Sequence, residues 1–187
     1  QGGPRPQVYL EFKIENTNAG RVVFELYKDV APFTVENFRR IANGEAKNPK
    51  GKALTYKNSQ VYKVIPRDGI YCGDITQNNG LGGDSIYGEH FKDENFSVLH
   101  DRPGLLTTLN TGVNRNNSKF LITLNPAQWL DYKSTVFGQV LSGIEVLKEI
   151  ERYGKKTGEV SKKITISDSG ELEVKVDDHH HDAHHHQ

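Results

Sequence analysis

Apolar and polar residues alternate in two stretches near the start of the chain. Every second position is apolar in 8–14 and again in 22–26. A period of two is typical of a β-strand with one buried face. The segment 16–20 between them, Asn-Thr-Asn-Ala-Gly, is rich in residues that favour turns. The two stretches are therefore predicted to form a β-hairpin.

The spacing of apolar residues changes from two to three or four at Pro32. This spacing predicts an amphipathic helix. Pro32 suits its first turn, and Asn43 followed by Gly44 suits its left-handed end. The same reasoning predicts a second helix from Gly143 to Tyr153, where apolar side chains again form one stripe.

The other periodic segments are short and strand-like. Five further strands are predicted, near 60–66, 104–109, 119–124, 135–141 and 162–168. The segment 67–103 is rich in Gly and Asn, has little periodicity and is predicted to form long loops, which often carry function. Many short strands with only two helices favour a mainly β closed barrel over an alternating α/β sheet.

One folded unit is expected between two unlike ends, since 187 residues is the length of a single domain. The segment 1–6 carries two Gly and two Pro and is interpreted as an N-terminal arm. The domain is assigned to 7–174, and 175–187 is an Asp/His-rich tail. No apolar run approaches the roughly 20 residues of a membrane-spanning helix, so no membrane span is expected.

The charges balance overall but not along the chain. Lys and Arg number 24, and so do Asp and Glu. Three of the acidic residues fall in 177–187, which leaves 24 basic and 21 acidic residues, or +3, in the rest. So small an excess argues against a general nucleic-acid binder, because phosphate contacts need a clear basic surplus.

The compartment in which the protein works is indicated only indirectly. The chain has no Met and begins at Gln1, which indicates removal of a secretory signal or an engineered boundary. Cys72 is the single cysteine, so no intramolecular disulfide can form. Two sequons, at Asn95 and Asn116, would be used only in a secretory context.

Seven groups of residues resemble the motifs of one family, the cyclophilins, in the family's own order. They lie at 21–26, 34–39, 79–89, 93–96, 129–131, 136–138 and 163–166. The resemblance covers about 7–174 and implies an eight-stranded antiparallel β-barrel capped by two α-helices. A weaker similarity to the secreted branch lies in Gly3-Pro4 and in 170–174.

The resemblance also implies an activity, the cis–trans isomerisation of X–Pro bonds in peptides. The barrier to that rotation is about 18–20 kcal/mol, because amide resonance must be broken. The family needs no cofactor for this reaction. It uses an apolar pocket for the proline ring, an Arg that donates to the imide nitrogen, and polar groups that hold the peptide.

Eleven positions of this chain correspond to the family's peptide groove, and eight of them differ from the family pattern. The three that match are Asn110, Trp129 and Leu130. The eight that differ are Lys63 for Arg, Asp68 for Phe, Gly69 for Met, Tyr71 for Gln, Leu109 for Ala, Lys119 for Gln, Leu121 for Phe and Ser134 for His. Lys63 is the candidate catalytic residue, at the family's Arg position.

These differences predict that isomerase activity is lost or much weakened. Lys lacks the planar fork of donors that Arg offers, and an ion pair with Asp68 would withdraw Lys63 further from a substrate. A charge at 68 is also costly to desolvate under a proline ring. The alternative is an active prolyl isomerase that helps folding in the secretory pathway, with Lys63 as a weak donor.

The function predicted from the sequence is that of a secreted binding or structural protein, in effect a pseudoenzyme. Its expected partners are a proline-containing peptide or protein segment and an extracellular matrix or self-assembly partner. A third interpretation is that the altered, more polar groove now binds a different peptide.

The tail carries six of the eight histidines, in the pattern His-His-His-Asp-Ala-His-His-His. The candidate metal ligands are His179, His180, His181, His184, His185 and His186. Neutral imidazoles bind Zn²⁺, Cu²⁺ and Ni²⁺ well. A purification tag or a solvated end without a ligand are the alternatives. His90 and His100 are isolated in the sequence and are expected at the surface.

Overall fold

The structure is a computed structural model that describes residues 3–175. The histidine tail therefore lies outside the described residues. The elements run in the order β1 Gln7–Ile14, β2 Thr17–Leu26, α1 Pro32–Asn43, β3 Ala46–Lys47, β4 Ala53–Leu54, β5 Lys63–Ile65, β6 Gly69–Cys72, β7 Leu105–Thr108, β8 Phe120–Thr123, the 3-10 helix Gln128–Leu130, β9 Val136–Ser142, α2 Ile144–Glu151 and β10 Ile164–Leu172.

Eight of these strands form one antiparallel sheet, in the order β10-β1-β2-β9-β7-β8-β6-β5. The sheet curls until the segment before β5 meets β10. There Asn58 N donates to Ile166 O (2.7 Å) and Val61 N donates to Ile164 O (2.9 Å). This contact joins the two edges of the sheet, so the mainly β fold predicted from the sequence is confirmed.

The core is formed by the apolar residues that alternate with polar ones along the strands. Inward-pointing residues of β1, such as Leu10 and Phe12, are fully buried. The helix α1 packs on β1 and β10, and it inserts Phe38 among aromatic rings of the sheet, 5.1 Å from the Phe120 ring. The helix α2 packs on β2 and β5 through a face that includes Leu147 and Ile150.

The prediction that 67–103 forms only loops was wrong for one segment, because Gly69–Cys72 forms the strand β6. All four of its residues are buried, so the strand shows none of the alternation by which a half-buried strand is recognised. It also begins with Gly69, a residue that favours turns. The small hairpin of β3 and β4 was missed as well, because two-residue strands carry no period.

The two sequon asparagines are engaged inside the fold. Asn95 Nδ2 donates to Val30 O at 3.0 Å. Asn116 is 1% exposed, and its Nδ2 donates to Phe91 O (3.1 Å) and to Asp93 Oδ1 (2.8 Å). Because a glycan would replace a hydrogen on this nitrogen, the folded protein does not present Asn116 for glycosylation.

The N-terminus of α1 is capped from a distant part of the chain. Its N-cap residue, Ala31, has no side chain that could accept a hydrogen bond. Glu94 takes that place: its carboxylate accepts from Phe33 N (3.0 Å), Thr34 N (2.9 Å) and the Thr34 hydroxyl (2.7 Å). The negative charge also suits the positive end of the helix dipole.

We expect Glu94→Ala to lower the free energy of unfolding by about 1 kcal/mol, the typical cost of a lost helix cap. Urea unfolding measures this change. The matched control is Glu89→Ala, which removes an exposed carboxylate from the same loop region. Equal stability of the two variants would contradict the role assigned to Glu94.

The Gly-rich loop after β6 is organised by one carboxylate. Asp74 accepts hydrogen bonds from the backbone N–H groups of Gln77 (2.9 Å), Asn79 (3.0 Å), Gly80 (2.8 Å) and Gly82 (3.0 Å). Burial alone would raise the pKa of Asp74, but these donors favour the charged form and lower its pKa to about 2. The loop conformation therefore depends on the ionised side chain.

We expect acid to loosen this loop. Because the pKa of Asp74 is lower in the folded chain than in the unfolded one, its stabilisation is complete above about pH 4 and is lost as the pH falls to about 2. Protection of the amides of 76–82, measured against their intrinsic exchange rates at each pH, should fall across this range, and Asp74→Asn should show the lower protection already at pH 7. Asp101→Asn, at an exposed position, is the control. Unchanged protection in Asp74→Asn would refute the dependence.

Candidate functional site

Strand register places the candidate groove on the outer face of the barrel. Lys63 on β5 faces Tyr71 on β6, and Tyr71 faces Leu121 on β8. Directly opposed residues lie on the same side of a sheet. The adjacent row points into the core and comprises Val64, Ile70, Ile122 and Leu106. Lys63, Tyr71 and Leu121 therefore point away from the barrel interior.

An open cavity of about 610 Å³ lies over this outer face. Five residues predicted from the sequence line it: Lys63, Tyr71, Leu109, Asn110 and Lys119. The loop that Asp74 organises contributes a further wall through Asn79 and Gly80. The strands and this loop thus bring together about half of the predicted groove positions around one concave surface.

Two apolar residues at predicted groove positions, Leu121 and Leu130, pack in one cluster and leave little surface for a proline ring. Leu121 is fully buried and Leu130 is 6% exposed, in a cluster with Tyr71 against which Leu109 also packs. Leu121 lies directly over Gly69, because a Cβ placed on Gly69 would collide with Leu121 Cδ1. The side chain missing at 69 is thus replaced by the neighbouring leucine.

Lys63 and Asp68 do not form an ion pair with each other. Asp68 Oδ2 accepts a hydrogen bond from the Tyr71 hydroxyl at 2.8 Å. Lys63 Nζ lies 4.8 Å from the centre of the Tyr71 ring, a cation–π geometry. Burial raises the pKa of Tyr71, and the hydrogen bond to Asp68 raises it further. Tyr71 therefore separates the two charges and contacts both.

Lys119, one of the predicted groove residues, is almost completely buried. It is only 4% exposed, and its ammonium donates to Gly80 O at 2.9 Å. Burial lowers the pKa of Lys119, although the negative charge of Asp74 opposes this effect. A cation is therefore held at the base of the cavity with little water around it.

The remaining predicted positions lie around the 3-10 helix. Trp129 is 53% exposed on that helix. Asn110 Nδ2 donates to Lys133 O (2.8 Å), which ties the strand side of the groove to the helix side. Ser134 is buried, and its backbone N–H donates to Leu130 O (3.1 Å). Ser134 is thus a structural residue of the turn.

Tyr62 is a groove residue that the sequence did not reveal. Its ring lies 6.3 Å from the Tyr71 ring and lines the cavity. A Cβ on Gly80 would meet the Tyr62 ring at 2.6 Å, so the glycine makes room for it. No motif marks this position; the signal is the pairing of an aromatic residue with a glycine from a distant loop.

The expectation that His100 lies at the surface was wrong. It is buried, with Nδ1 2.9 Å from Asp131 Oδ1 and Nε2 2.8 Å from Thr107 Oγ1. Asp131 follows the 3-10 helix and Thr107 belongs to β7, so His100 fixes the helix that carries Trp129 to the sheet. Cys72 is buried as well, and burial raises the pKa of its thiol.

Residues 3–175 were also compared with the requirements of a metal site and of a membrane-spanning helix. Between residues 3 and 175, no group of three or more His, Cys, Asp or Glu side chains is arranged to hold a metal ion. The six tail histidines cannot be placed, since they lie outside that range. Within it, no helix is both long and apolar enough to cross a membrane.

The comparison with known families agrees with the fold. A family model described as cyclophilin type peptidyl-prolyl cis-trans isomerase/CLD matches residues 9–171. The match covers most of the chain and includes all eleven groove positions. Isomerases of this family bind proline-containing peptides and need no cofactor. The chain therefore belongs to the cyclophilin-type peptidyl-prolyl cis-trans isomerase family.

Proposed function

We propose that this protein is a peptide-binding cyclophilin whose isomerase activity is lost or much weakened. The observation that carries the proposal is the packing of Leu121 over Gly69, together with the burial of Leu130. In this arrangement the apolar side chains contact one another and offer a proline ring little surface. The concave surface beside them supports the retention of peptide binding.

A groove whose apolar side chains are packed against one another loses contacts with a proline ring. Burying an apolar group of about the size of Val or Leu contributes roughly 1.5–3 kcal/mol, and about 1.4 kcal/mol corresponds to tenfold in rate. A groove that cannot bury the proline ring in the transition state therefore gives up one or two orders of magnitude. The ammonium of Lys63 lies over the Tyr71 ring and is a poorer donor than a guanidinium.

We extend the proposal to a secreted protein whose groove serves an extracellular matrix or self-assembly partner. The support is the similarity of Gly3-Pro4 and 170–174 to the secreted branch of the family. Antibody detection in the medium, compared with that in the lysate of the producing cells, tests the location. Retention of all the protein inside the cells would contradict it.

We expect the protein to leave X–Pro exchange near its uncatalysed time of tens to hundreds of seconds. Two-dimensional exchange NMR on an Ala-Pro peptide measures this. A variant with Lys63→Arg, Asp68→Phe, Gly69→Met, Tyr71→Gln and Leu121→Phe should exceed the unmodified protein at least tenfold, because the apolar pocket is restored.

The matched control is Lys63→Arg alone, which supplies the guanidinium but leaves Leu121 packed over Gly69. It should remain close to the unmodified protein. Catalysis by the unmodified chain at the rate of a cyclophilin that has the family residue at all eleven positions would overturn the proposal. The rate of the unmodified protein decides whether isomerase activity is lost, even if the variant with five substitutions does not fold.

We also propose that the histidine tail binds a transition-metal ion, Zn²⁺, Cu²⁺ or Ni²⁺. Two triplets of His, with Asp182 between them, supply nitrogen and oxygen ligands on a short stretch of chain. Imidazole must be neutral to bind a metal, so binding should weaken below about pH 6.5.

Calorimetric titration of the whole chain and of a chain ending at 176 with Zn²⁺ and Cu²⁺ tests this. Strong heats are expected only for the whole chain at pH 7.5, and they should fall at pH 5.5. Variants with His179, His180 and His181, or with His184, His185 and His186, replaced by Asn separate the two triplets. Equal heats with and without 177–187 would refute metal binding by the tail.

A further inference from the structure

The groove contains a buried cation with an incomplete set of partners. The ammonium of Lys119 has three N–H donors, and Gly80 O accepts one of them. The ion pairs formed among residues 3–175 do not include Lys119. Burying a charge without an opposite charge is costly, so the arrangement favours a ligand that brings a negative charge.

The carboxylates near Lys119 are already engaged. Asp74 is the acidic group whose charge acts on Lys119, but its oxygens accept the backbone N–H groups of its own loop. Glu159 also lines the cavity, yet its side chain is 70% exposed and lies 3.8 Å from Lys155 Nζ. Neither provides a direct partner for the buried ammonium.

Lys63 adds a second cation to the same cavity. Its aliphatic stem packs against Gly158, where a Cβ would lie 2.7 Å from Lys63 Cγ. Its ammonium lies over the Tyr71 ring, and no carboxylate pairs with it among the described ion pairs. The stem is thus held in place while the charge stays available to a ligand.

We infer that the groove selects peptides that present a carboxylate to Lys119 and Lys63. This inference rests on the proposed function, since it names the class of peptide that the groove would hold. A carboxylate forms short, charge-assisted hydrogen bonds with ammonium groups, and Tyr62 and Tyr71 provide aromatic walls beside it. The carboxylate is a peptide's Asp or Glu side chain or its free C-terminus.

Fluorescence anisotropy with labelled peptides tests the selection. The probes are seven-residue, C-terminally amidated peptides of Ala with a central Pro. Each carries Glu at one of the six other positions, and each has a matched Gln peptide. A further probe, with Gln and a free C-terminus, separates the two sources of a carboxylate. We expect at least one carboxylate probe to bind tenfold or more tightly than its neutral match, and the difference to shrink with added salt.

Single Lys→Gln substitutions show which lysines are responsible for the preference for a carboxylate. Lys119→Gln should remove most of the preference for the carboxylate while retaining affinity for the neutral peptide, and Lys63→Gln should reduce the preference. Lys148→Gln, an exposed position on α2, is the control and should behave as the unmodified protein. Thermal unfolding of each variant checks that the fold is retained.

The outcomes separate the two proposals. Equal affinity for every charged and neutral pair would overturn the acidic selection and leave peptide binding intact. A preference that survives in Lys119→Gln and Lys63→Gln would also overturn it, because the carboxylate would then be recognised elsewhere. Failure of every peptide to bind would overturn the proposed function, and the selection with it.

Discussion

The pairing of β6 with β5 on one side and β8 on the other is the constraint on which both halves of this molecule depend. A shift of one residue in this register would exchange the two faces of each strand. Ile70 and Ile122 would then leave the core, and Tyr71 and Leu121 would enter it. The burial of the inner row therefore fixes the register, and the register fixes which side chains reach the groove.

The groove can change without disturbing the barrel for the same reason. Its residues lie on the outer face, so a different side chain at Asp68 or Tyr71 would alter the surface but not the packing inside. Neighbouring side chains on this face also fit one another closely. Leu121 fills the space left by Gly69, and the Tyr71 hydroxyl contacts Asp68. The result is a well-packed surface that carries Asp68 and the two lysines Lys63 and Lys119 beside its apolar residues.

The sequence was informative where periodicity is strong and weak where partners are distant. The strand β1 and the helix α1 were predicted nearly to the residue, because their apolar spacing is regular. The start of β2 was wrong, since the strand begins at Thr17, inside the segment 16–20 that was predicted to be the turn. The strand β6 was missed, since a strand buried on both faces has no alternation. The buried setting of His100 and the capping by Glu94 depend on partners tens of residues away, Asp131 and Thr34, which no local pattern reveals. The contact of Tyr62 with Gly80 has the same origin.

The burial of Asn116 makes folding and sugar attachment mutually exclusive at that position. An oligosaccharyl transferase can reach Asn116 only while the chain is unfolded, and a glycan attached then would occupy the nitrogen that must bond to Phe91 and Asp93. In an export pathway that carries this enzyme, the speed with which the segment around 116 becomes buried would decide between a native and a trapped chain. The relative rates of folding and of glycan attachment would then determine which of the two products each chain forms.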